Sequence, residues 1–307
     1  MNLSRIKRWI LLGHRWLGIG TCLLFFLWFL SGVVMMYVGH PKLTWQERLE
    51  HLPPLEASQP LLSPADAFQQ DGIQGTVTDL RLANARAGQP VYIARIRPDA
   101  RPAPDAPRPE PRLLALDART GTLLPPTDPA TALASAQVYL EQGGLSHPSS
   151  SSALPASSPR QPSPAGAQDT PGKPLYQGIT VEDAHTHSAA MDLHRPLHKV
   201  LLPDAEQTLL YISGTTGEVV RDAPRLERGF NYLGAWLHWL YLFRDTAIDW
   251  TELIIWLSII GTVATLSGFL AGIIRWRCSR PYRSGSRAPF APGALRWHHI
   301  LGLVFAL

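Results

Sequence analysis

The positions of charged residues divide the chain into two long apolar segments separated by a polar region. No charged residue occurs in the 23 positions from Trp16 to Val38 or in the 22 positions from Leu253 to Ile274. A helix of the first length rises about 34 Å, enough to cross a hydrocarbon core of about 30 Å. The pattern predicts two transmembrane helices, 16–38 and 253–274, although the mean hydropathy of −0.02 resembles that of a soluble protein.

The first apolar segment is predicted to be a retained anchor. It is longer than the apolar core of a signal peptide, about 7–15 residues, and Val38-Gly39-His40-Pro41 lacks the small residues of a cleavage site. A third apolar run occupies the end of the chain. Its last eight residues, Ile300–Leu307, rise only about 12 Å as a helix. We expect 298–307 to begin a third transmembrane helix, truncated here because the chain is a fragment or else a natural stub.

Basic residues predict the orientation of both segments. Four of them precede the first segment, and six arginines with no acid follow the second, whereas the opposite flanks mix both signs. By the positive-inside rule, 1–15 and the connector 275–297 are cytoplasmic, and 39–249 is extracytoplasmic. The net charge of +4 is then mainly topogenic, and no nucleic-acid site is expected. All ten Trp lie outside 46–235, which favours a soluble module there.

The polar region predicts helices and antiparallel strands. Ser63-Pro64 resembles a capped helix start, and strand-like runs follow at 75–82 and 90–97. Arg112–Leu124 reads as strand, Gly-containing turn and strand. The same pattern recurs in Thr208–Val220 at an offset of 96 residues, with Thr-Gly aligned on Thr-Gly.

A helix is predicted at 129–142, before the second hairpin. The recurrence therefore predicts two α+β units, about 60–126 and 127–222, unless two short hairpins are similar by chance. Ser146–Pro174, with 8 Ser and 7 Pro in 29 residues, is predicted to be a disordered insertion. The fold class expected is a membrane α-helical protein with an extracytoplasmic α+β domain.

Two histidines share a motif at the start of an apolar run. His14 and His298 both stand in the pattern H-x-x-L-G, and the predicted topology places both at the cytoplasmic face. Two neutral imidazoles facing each other within a helix bundle can hold a haem b iron from both sides. A glycine one turn away lets a flat macrocycle approach the backbone. The alternative interpretation is that each histidine is only an interfacial anchor.

A third candidate lies at the opposite face. His238 occurs in an apolar, aromatic run, 229–243, that is too short to span and is predicted to be an interfacial helix. It is a candidate ligand of a second haem, with His40 or a helix beyond the C-terminus as its partner. Anchor and ligand interpretations of His238 are equally open, and for His40 the anchor interpretation is favoured.

The remaining motifs exclude several functions. Four histidines lie between 185 and 198, but Pro196 opposes a helical pair and no Cys completes a zinc set, so we expect solvated loop histidines (His185, His187, His194 and His198). The two cysteines, Cys22 and Cys278, leave the extracytoplasmic region without a disulfide. No dinucleotide-binding, P-loop, nucleophile-elbow or HExxH motif is present.

Several of these motifs together resemble a known family, the PepSY-associated transmembrane proteins, also called iron-regulated or PiuB-like membrane proteins. The similarity rests on 14–18 with Leu30-Ser31-Gly32, on 237–240 with Leu266-Ser267-Gly268, and on 296–302. The hairpin 116–121 resembles the strand-turn-strand of a PepSY module.

The resemblance implies a multi-pass protein of the bacterial inner membrane whose PepSY-like domain faces the periplasm. It implies b-type haem held by His14, His238 and His298, with His299 as a rival of His298. It further implies outward electron transfer from quinol or a cytoplasmic donor to a ferric siderophore. The alternative function is a non-enzymatic, membrane-anchored PepSY module that binds a peptide or protein.

Overall fold

The computed structural model of the chain describes residues 3–56, 58, 60–98, 110–145, 172–244 and 246–305. These residues form two compact units, one made of 1–37 and 233–307 and the other of 38–232. We call them the helical unit and the α+β unit. Most of the predicted Ser/Pro-rich insertion, 146–171, and most of the Pro-rich stretch, 99–109, lie outside the described residues.

The helical unit consists of three helices, α1 (Leu3–Tyr37), α6 (Trp250–Arg275) and α7 (Ala294–Phe305). Within the described residues, α1 and α6 are long and apolar enough to cross a membrane, and only 6% of the most apolar window of each is buried. Such uncovered apolar faces suit a lipid environment. Helix α6 contains the predicted span 253–274, and α1 contains the predicted span 16–38 as far as Tyr37. Helix α1 begins well before Trp16, and α7 begins before His298.

Glycines of α6 allow the other two helices to approach closely. A Cβ on Gly261 would lie 3.6 Å from the Phe25 ring of α1, and one on Gly272 would lie 2.7 Å from Leu303 of α7. Small residues at helix contacts favour close backbone packing in an apolar environment. At the C-terminal end of α6, Gly268 contacts His14 in the first half of α1, and the Gly272 carbonyl contacts His299 in the first half of α7.

The α+β unit contains two antiparallel sheets. The first has the order β1-β2-β3 and the second β4-β5-β6-β7. Their strands are β1 (Thr76–Arg86), β2 (Gln89–Arg97), β3 (Arg112–Asp117), β4 (Leu175–Thr180), β5 (Leu197–Leu201), β6 (Leu209–Ser213) and β7 (Val219–Ala223). Four helices accompany them: α2 (Trp45–Glu50), α3 (Pro64–Gln70), α4 (Pro129–Leu145) and α5 (Arg225–Asn231). Helix α3 is capped by the Ser63 side chain, as the sequence predicts.

Helix α4 packs against the second sheet and also contacts the first. Ala132, Ala136 and Tyr139 pack against Val200 and Leu210, among other buried residues of the second sheet. Asp128 caps the helix by accepting a hydrogen bond from the Thr131 amide, at 2.7 Å. The Ser135 hydroxyl accepts from the Ala87 amide after β1 and donates to the Gly217 carbonyl before β7. The two sheets are thereby held within one unit.

The two predicted Thr-Gly turns share one hydrogen-bond pattern. Gly121 donates to the Asp117 carbonyl at 2.8 Å, and Gly217 donates to the Ser213 carbonyl at 2.9 Å. Both glycines adopt positive φ, 74° and 77°, which favours glycine at these positions. The two copies differ after the turn. Val219–Ala223 is a full strand, whereas the first copy has only a Leu116–Leu123 bridge.

The Asp222 carboxyl on β7 lies in an unfavourable environment for a negative charge. Burial and the nearby carboxylates Glu47 and Glu227 raise its pKa to about 7, while the Tyr139 hydroxyl is its hydrogen-bond partner. A carboxyl whose pKa is higher in the folded state binds its proton more tightly there than in the unfolded chain. Stability of the α+β unit is therefore lost as pH rises between the unfolded pKa and about 7.

We expect Asp222→Asn to remove this pH dependence. The amide keeps an oxygen for Tyr139 but carries no proton to lose, so the variant should gain stability over the wild type. The gain should grow between about pH 4 and pH 7 and then level off. Hydrogen exchange of the β6 and β7 amides at several pH values measures it. A constant difference across this range would contradict the assignment.

Candidate functional site

His14 lies against α6 in the helical unit. Its Nδ1 atom is 3.2 Å from the Ala264 carbonyl oxygen and 3.3 Å from the Ser267 hydroxyl oxygen. The hydroxyl of Ser267 donates to the same carbonyl at 2.9 Å. The imidazole also rests on Gly268, where a Cβ would lie 2.7 Å from its Cε1 atom. The ring is therefore held at Nδ1 and packed tightly along one edge.

His298 of α7 lies beside His14. The centroids of the two rings are 6.3 Å apart, and their planes differ by 21°. The predicted pairing of the two H-x-x-L-G histidines thus corresponds to a short separation in the helical unit. A Cβ on Gly18 or on Gly302 would have no neighbour within 4 Å, so both motif glycines border open space.

His299, the predicted rival, occupies a different environment. It is 7% exposed, and its Nε2 atom is 3.0 Å from the Gly272 carbonyl oxygen. Its ring packs near Trp276 and Phe290. The Nε2–H group donates to that carbonyl, and Nδ1 is buried without a hydrogen-bond partner among the described residues. It is the ring of His298, and not that of His299, that lies beside the His14 ring.

His238 makes the same set of contacts with α1 that His14 makes with α6. Its Nδ1 atom is 3.1 Å from the Ser31 hydroxyl oxygen and 3.2 Å from the Trp28 carbonyl oxygen. The Ser31 hydroxyl donates to that carbonyl at 3.1 Å. The following glycine, Gly32, again faces the ring, and a Cβ at this position would lie 3.5 Å from Cε1 of His238.

The chain reaches His238 through irregular helix. Helix α5 ends at Asn231, and a π-helical turn covers Tyr232–Trp236 before the turn that carries His238. Leu240 then adopts a left-handed conformation with φ of 54°. The predicted helix at 229–243 is therefore interrupted. Single π-helical turns occur often at functional sites because they redirect the side chains that follow.

We call the two sets of contacts modules: His14 with Ala264, Ser267 and Gly268, and His238 with Trp28, Ser31 and Gly32. In each module the histidine Nδ1 atom is hydrogen-bonded, and no hydrogen-bond partner is found for Nε2 within the described residues. The neutral imidazole nitrogen opposite a hydrogen-bonded Nδ1–H is the usual metal-binding atom of histidine. Ser31 and Ser267 were present in the sequence motifs but carried no predicted role, because a serine in an apolar helix ordinarily bonds its own backbone.

The four histidines between positions 185 and 198 are not solvated loop residues, and that prediction is wrong. His185 is 6% exposed and accepts from the Asn231 amide, and His198 is 2% exposed between the Tyr176 hydroxyl and the Thr127 carbonyl. His187 pairs with Glu182 and His194 with the Ser213 hydroxyl. Each ring is thus used in a separate local contact. Among the described residues, no group of three or more potential ligands is placed to hold a metal ion.

His40 lies in the α+β unit, near Arg221, His185 and Asp183. Burial, together with the neighbouring Arg221, lowers its pKa to about 4, so the ring is neutral at physiological pH. Within the described part of the chain, neither ring nitrogen has a hydrogen-bond partner.

A buried ion-pair cluster joins the two sheets. Glu218, 2% exposed, accepts from Arg48 at 2.6 Å and from Arg81 at 2.5 Å. Burial acts to raise the pKa of Glu218, but Arg81 and Arg48 outweigh it and hold the pKa below its usual range. The sequence offered no signal for this cluster, because its members come from α2, β1 and the turn before β7.

The α+β unit also contains an open cavity of about 410 Å³ on the second sheet. Its polar lining includes Asp183, Lys199, Tyr211 and Arg228. The Tyr211 hydroxyl donates to Asp183 at 2.9 Å, and Lys199 lies 3.8 Å from the same carboxylate. Comparison of the chain with family models, with curated proteins and with solved structures finds no match.

Proposed function

We propose that the protein is a haem-b-containing electron-transfer protein of a bacterial inner membrane. The observation that carries the proposal is the pairing of His14 with His298, at a centroid separation of 6.3 Å and with nearly parallel rings. Histidine is the residue that holds the iron of many b-type haems, and this pair brings two histidines of different helices close together.

The distance and the surroundings of the pair fit such a group. The two rings lie on neighbouring helices with their centroids 6.3 Å apart, so both imidazoles are close enough to contribute to one site. Gly18 and Gly302 add no side chain to the space beside them. His14 and His298 would hold the group, which supplies a reversible one-electron oxidation and reduction when bound.

A second group is proposed at His238. Its contacts with Trp28 and Ser31 repeat those of His14 at the other end of α1, about 25 Å further along the helix axis. The other histidines of the helical unit, His14, His298 and His299, contact residues near the opposite end, so among the described histidines of this unit His238 alone would hold the second group. Two sites divide the crossing of a membrane about 30 Å thick into shorter electron transfers.

The direction of transfer follows from the proposed topology. The basic residues before α1 and after α6 favour a cytoplasmic location for the His14 end. Electrons would enter there from quinol or a cytoplasmic donor and leave near His238. A ferric chelate, such as a ferric siderophore, is the proposed acceptor on the side of the α+β unit.

The absorption spectrum of the purified full-length protein, expressed with sufficient haem, tests the proposal. We expect a Soret band and α and β bands that sharpen on reduction with dithionite. His14→Ala and His298→Ala should each remove one set of bands and retain the other, while His238→Ala should do the reverse. His187→Ala, in the α+β unit, is the control and should leave the spectrum unchanged. A protein without absorbance beyond 400 nm would rule the proposal out.

The cavity of the α+β unit favours the second function considered, a membrane-anchored binding module. Its charged and aromatic lining offers both ion pairing and stacking to a peptide. Under that function, the helical unit carries no redox group, and all three histidine variants would behave like the wild type.

A further inference from the structure

We propose that Ser267 and Ser31 are positioning residues that fix the tautomer and orientation of His14 and His238, and this inference rests on the proposed function only for its consequence at iron. Each serine hydroxyl, with the carbonyl three residues before it, provides two oxygen atoms that accept a hydrogen bond from one imidazole Nδ1–H. We call this pair of acceptors a serine receptor. The two receptors lie on different helices, Ser267 on α6 and Ser31 on α1.

The hydrogen bonds within each receptor determine which nitrogen carries the proton. The Ser267 hydroxyl donates its proton to the Ala264 carbonyl at 2.9 Å, so both oxygens can only accept from the Nδ1 atom of His14. The His14 Nδ1 atom lies within 3.3 Å of both oxygens. An unprotonated Nδ1 would face a carbonyl lone pair at this distance, which is repulsive, whereas Nδ1–H is accepted twice.

The same argument applies at the other module. The Ser31 hydroxyl donates to the Trp28 carbonyl, and the His238 Nδ1 atom lies 3.1 Å and 3.2 Å from these two oxygens. In both modules the neutral ring therefore exposes Nε2 as the free lone pair. Since the donor to iron must be a neutral nitrogen, this tautomer is the one that binds.

Backbone bonding alone does not account for these serines. Ser258, Thr262 and Thr265 of α6 also donate to carbonyls of their own helix, at 2.7–3.0 Å, and are exposed. They are ordinary examples of a hydroxyl in an apolar helix. Only Ser31 and Ser267 combine this bond with an imidazole and with a glycine that lets the ring approach the helix, among the described residues of the helical unit.

The serine of each module is expected to strengthen metal binding by the histidine that it holds. Groups that bond the far nitrogen of a ligating histidine orient the ring and raise its basicity, and their loss typically costs about 10- to 100-fold in metal affinity. Ser267→Ala should therefore weaken haem binding at the His14 site by about that factor and spare the other site. Ser31→Ala should act in the opposite way.

The test compares Ser267→Ala and Ser31→Ala with Ser258→Ala in the full-length protein with ¹⁵N-labelled histidine. In the haem-free protein, ¹⁵N NMR should find mainly the Nδ1–H form at His14 and His238. Ser267→Ala should raise the Nε2–H fraction at His14 alone, and Ser31→Ala at His238 alone. Ser267→Thr, which keeps the hydroxyl, should restore the wild-type spectrum and excludes a folding defect.

The two proposals fail in different measurements. Tautomer fractions in the Ser267→Ala and Ser31→Ala variants equal to those of Ser258→Ala would overturn the positioning role, even in a protein that binds haem. Expected tautomers in a protein that never takes up haem would support the positioning role and reject the electron-transfer function. In the haem-loaded protein, a loss of haem affinity at the site of the substituted serine alone supports both the positioning role and the electron-transfer function.

Discussion

Gly268→Ala is expected to abolish or severely weaken the His14 site. The added Cβ would lie 2.7 Å from Cε1, 3.2 Å from Nδ1 and 3.4 Å from Nε2 of His14, so it meets the rigid ring along a whole edge. To relieve the contact the imidazole must move away from Ala264 and Ser267. Overpacking of this kind costs about 1–3 kcal/mol, which corresponds to about 5- to 140-fold in haem affinity. Haem titration followed by Soret absorbance measures the loss.

Two matched variants separate this effect from helix packing. Gly32→Ala places a Cβ 3.5 Å from Cε1 of His238, an ordinary contact, and should leave the second site almost unchanged. Gly261→Ala, 3.6 Å from Phe25 in the same α1–α6 contact, should retain both sites. Equal losses in Gly268→Ala and Gly261→Ala would mean that α6 tolerates no extra methyl, and would remove the special role of the His14 ring.

The helices could be predicted from sequence because their signals are local. An uninterrupted apolar run marks the apolar part of α1 and of α6, and the repeated H-x-x-L-G motif singles out His14 and His298, whose rings lie side by side. The serine receptors could not be predicted in the same way. Ser31 and Ser267 resemble every other hydroxyl in an apolar helix until the facing histidine is known.

In the α+β unit, too, features set by neighbouring residues were predicted and features set by distant residues were not. The turns at Gly121 and Gly217 were predicted because a Thr-Gly pair specifies turn geometry within a few residues. The burial of His185 and His198 was not predicted, since their partners Asn231 and Thr127 are far away along the chain. Strands β4 and β5 were missed for the same reason: their pairing, rather than their composition, defines them, and His198 lies within β5 itself.

Loss of the Glu218 carboxylate is expected to have the largest effect on the α+β unit. Glu218→Ala leaves Arg48 and Arg81, whose side chains are 18% and 24% exposed, close together without a counter-charge. Removing one partner of a buried ion pair typically costs about 3–5 kcal/mol. We expect a decrease of this size in the free energy of unfolding, measured by hydrogen exchange of the β6 and β7 amides in the full-length protein.

The pH dependence and an exposed pair provide the controls for this prediction. Since the two arginines hold the pKa of Glu218 below its unfolded value, its contribution is complete above that value and is lost as pH falls through the folded pKa. The destabilisation by Glu218→Ala should therefore be full at pH 7 and shrink in acid. The Asp192 side chain, which pairs with Arg195, is 62% exposed, so Asp192→Ala should cost no more than about 1 kcal/mol. If Glu218→Ala cost no more than Asp192→Ala at pH 7, the cluster would be a surface contact rather than the link between the two sheets.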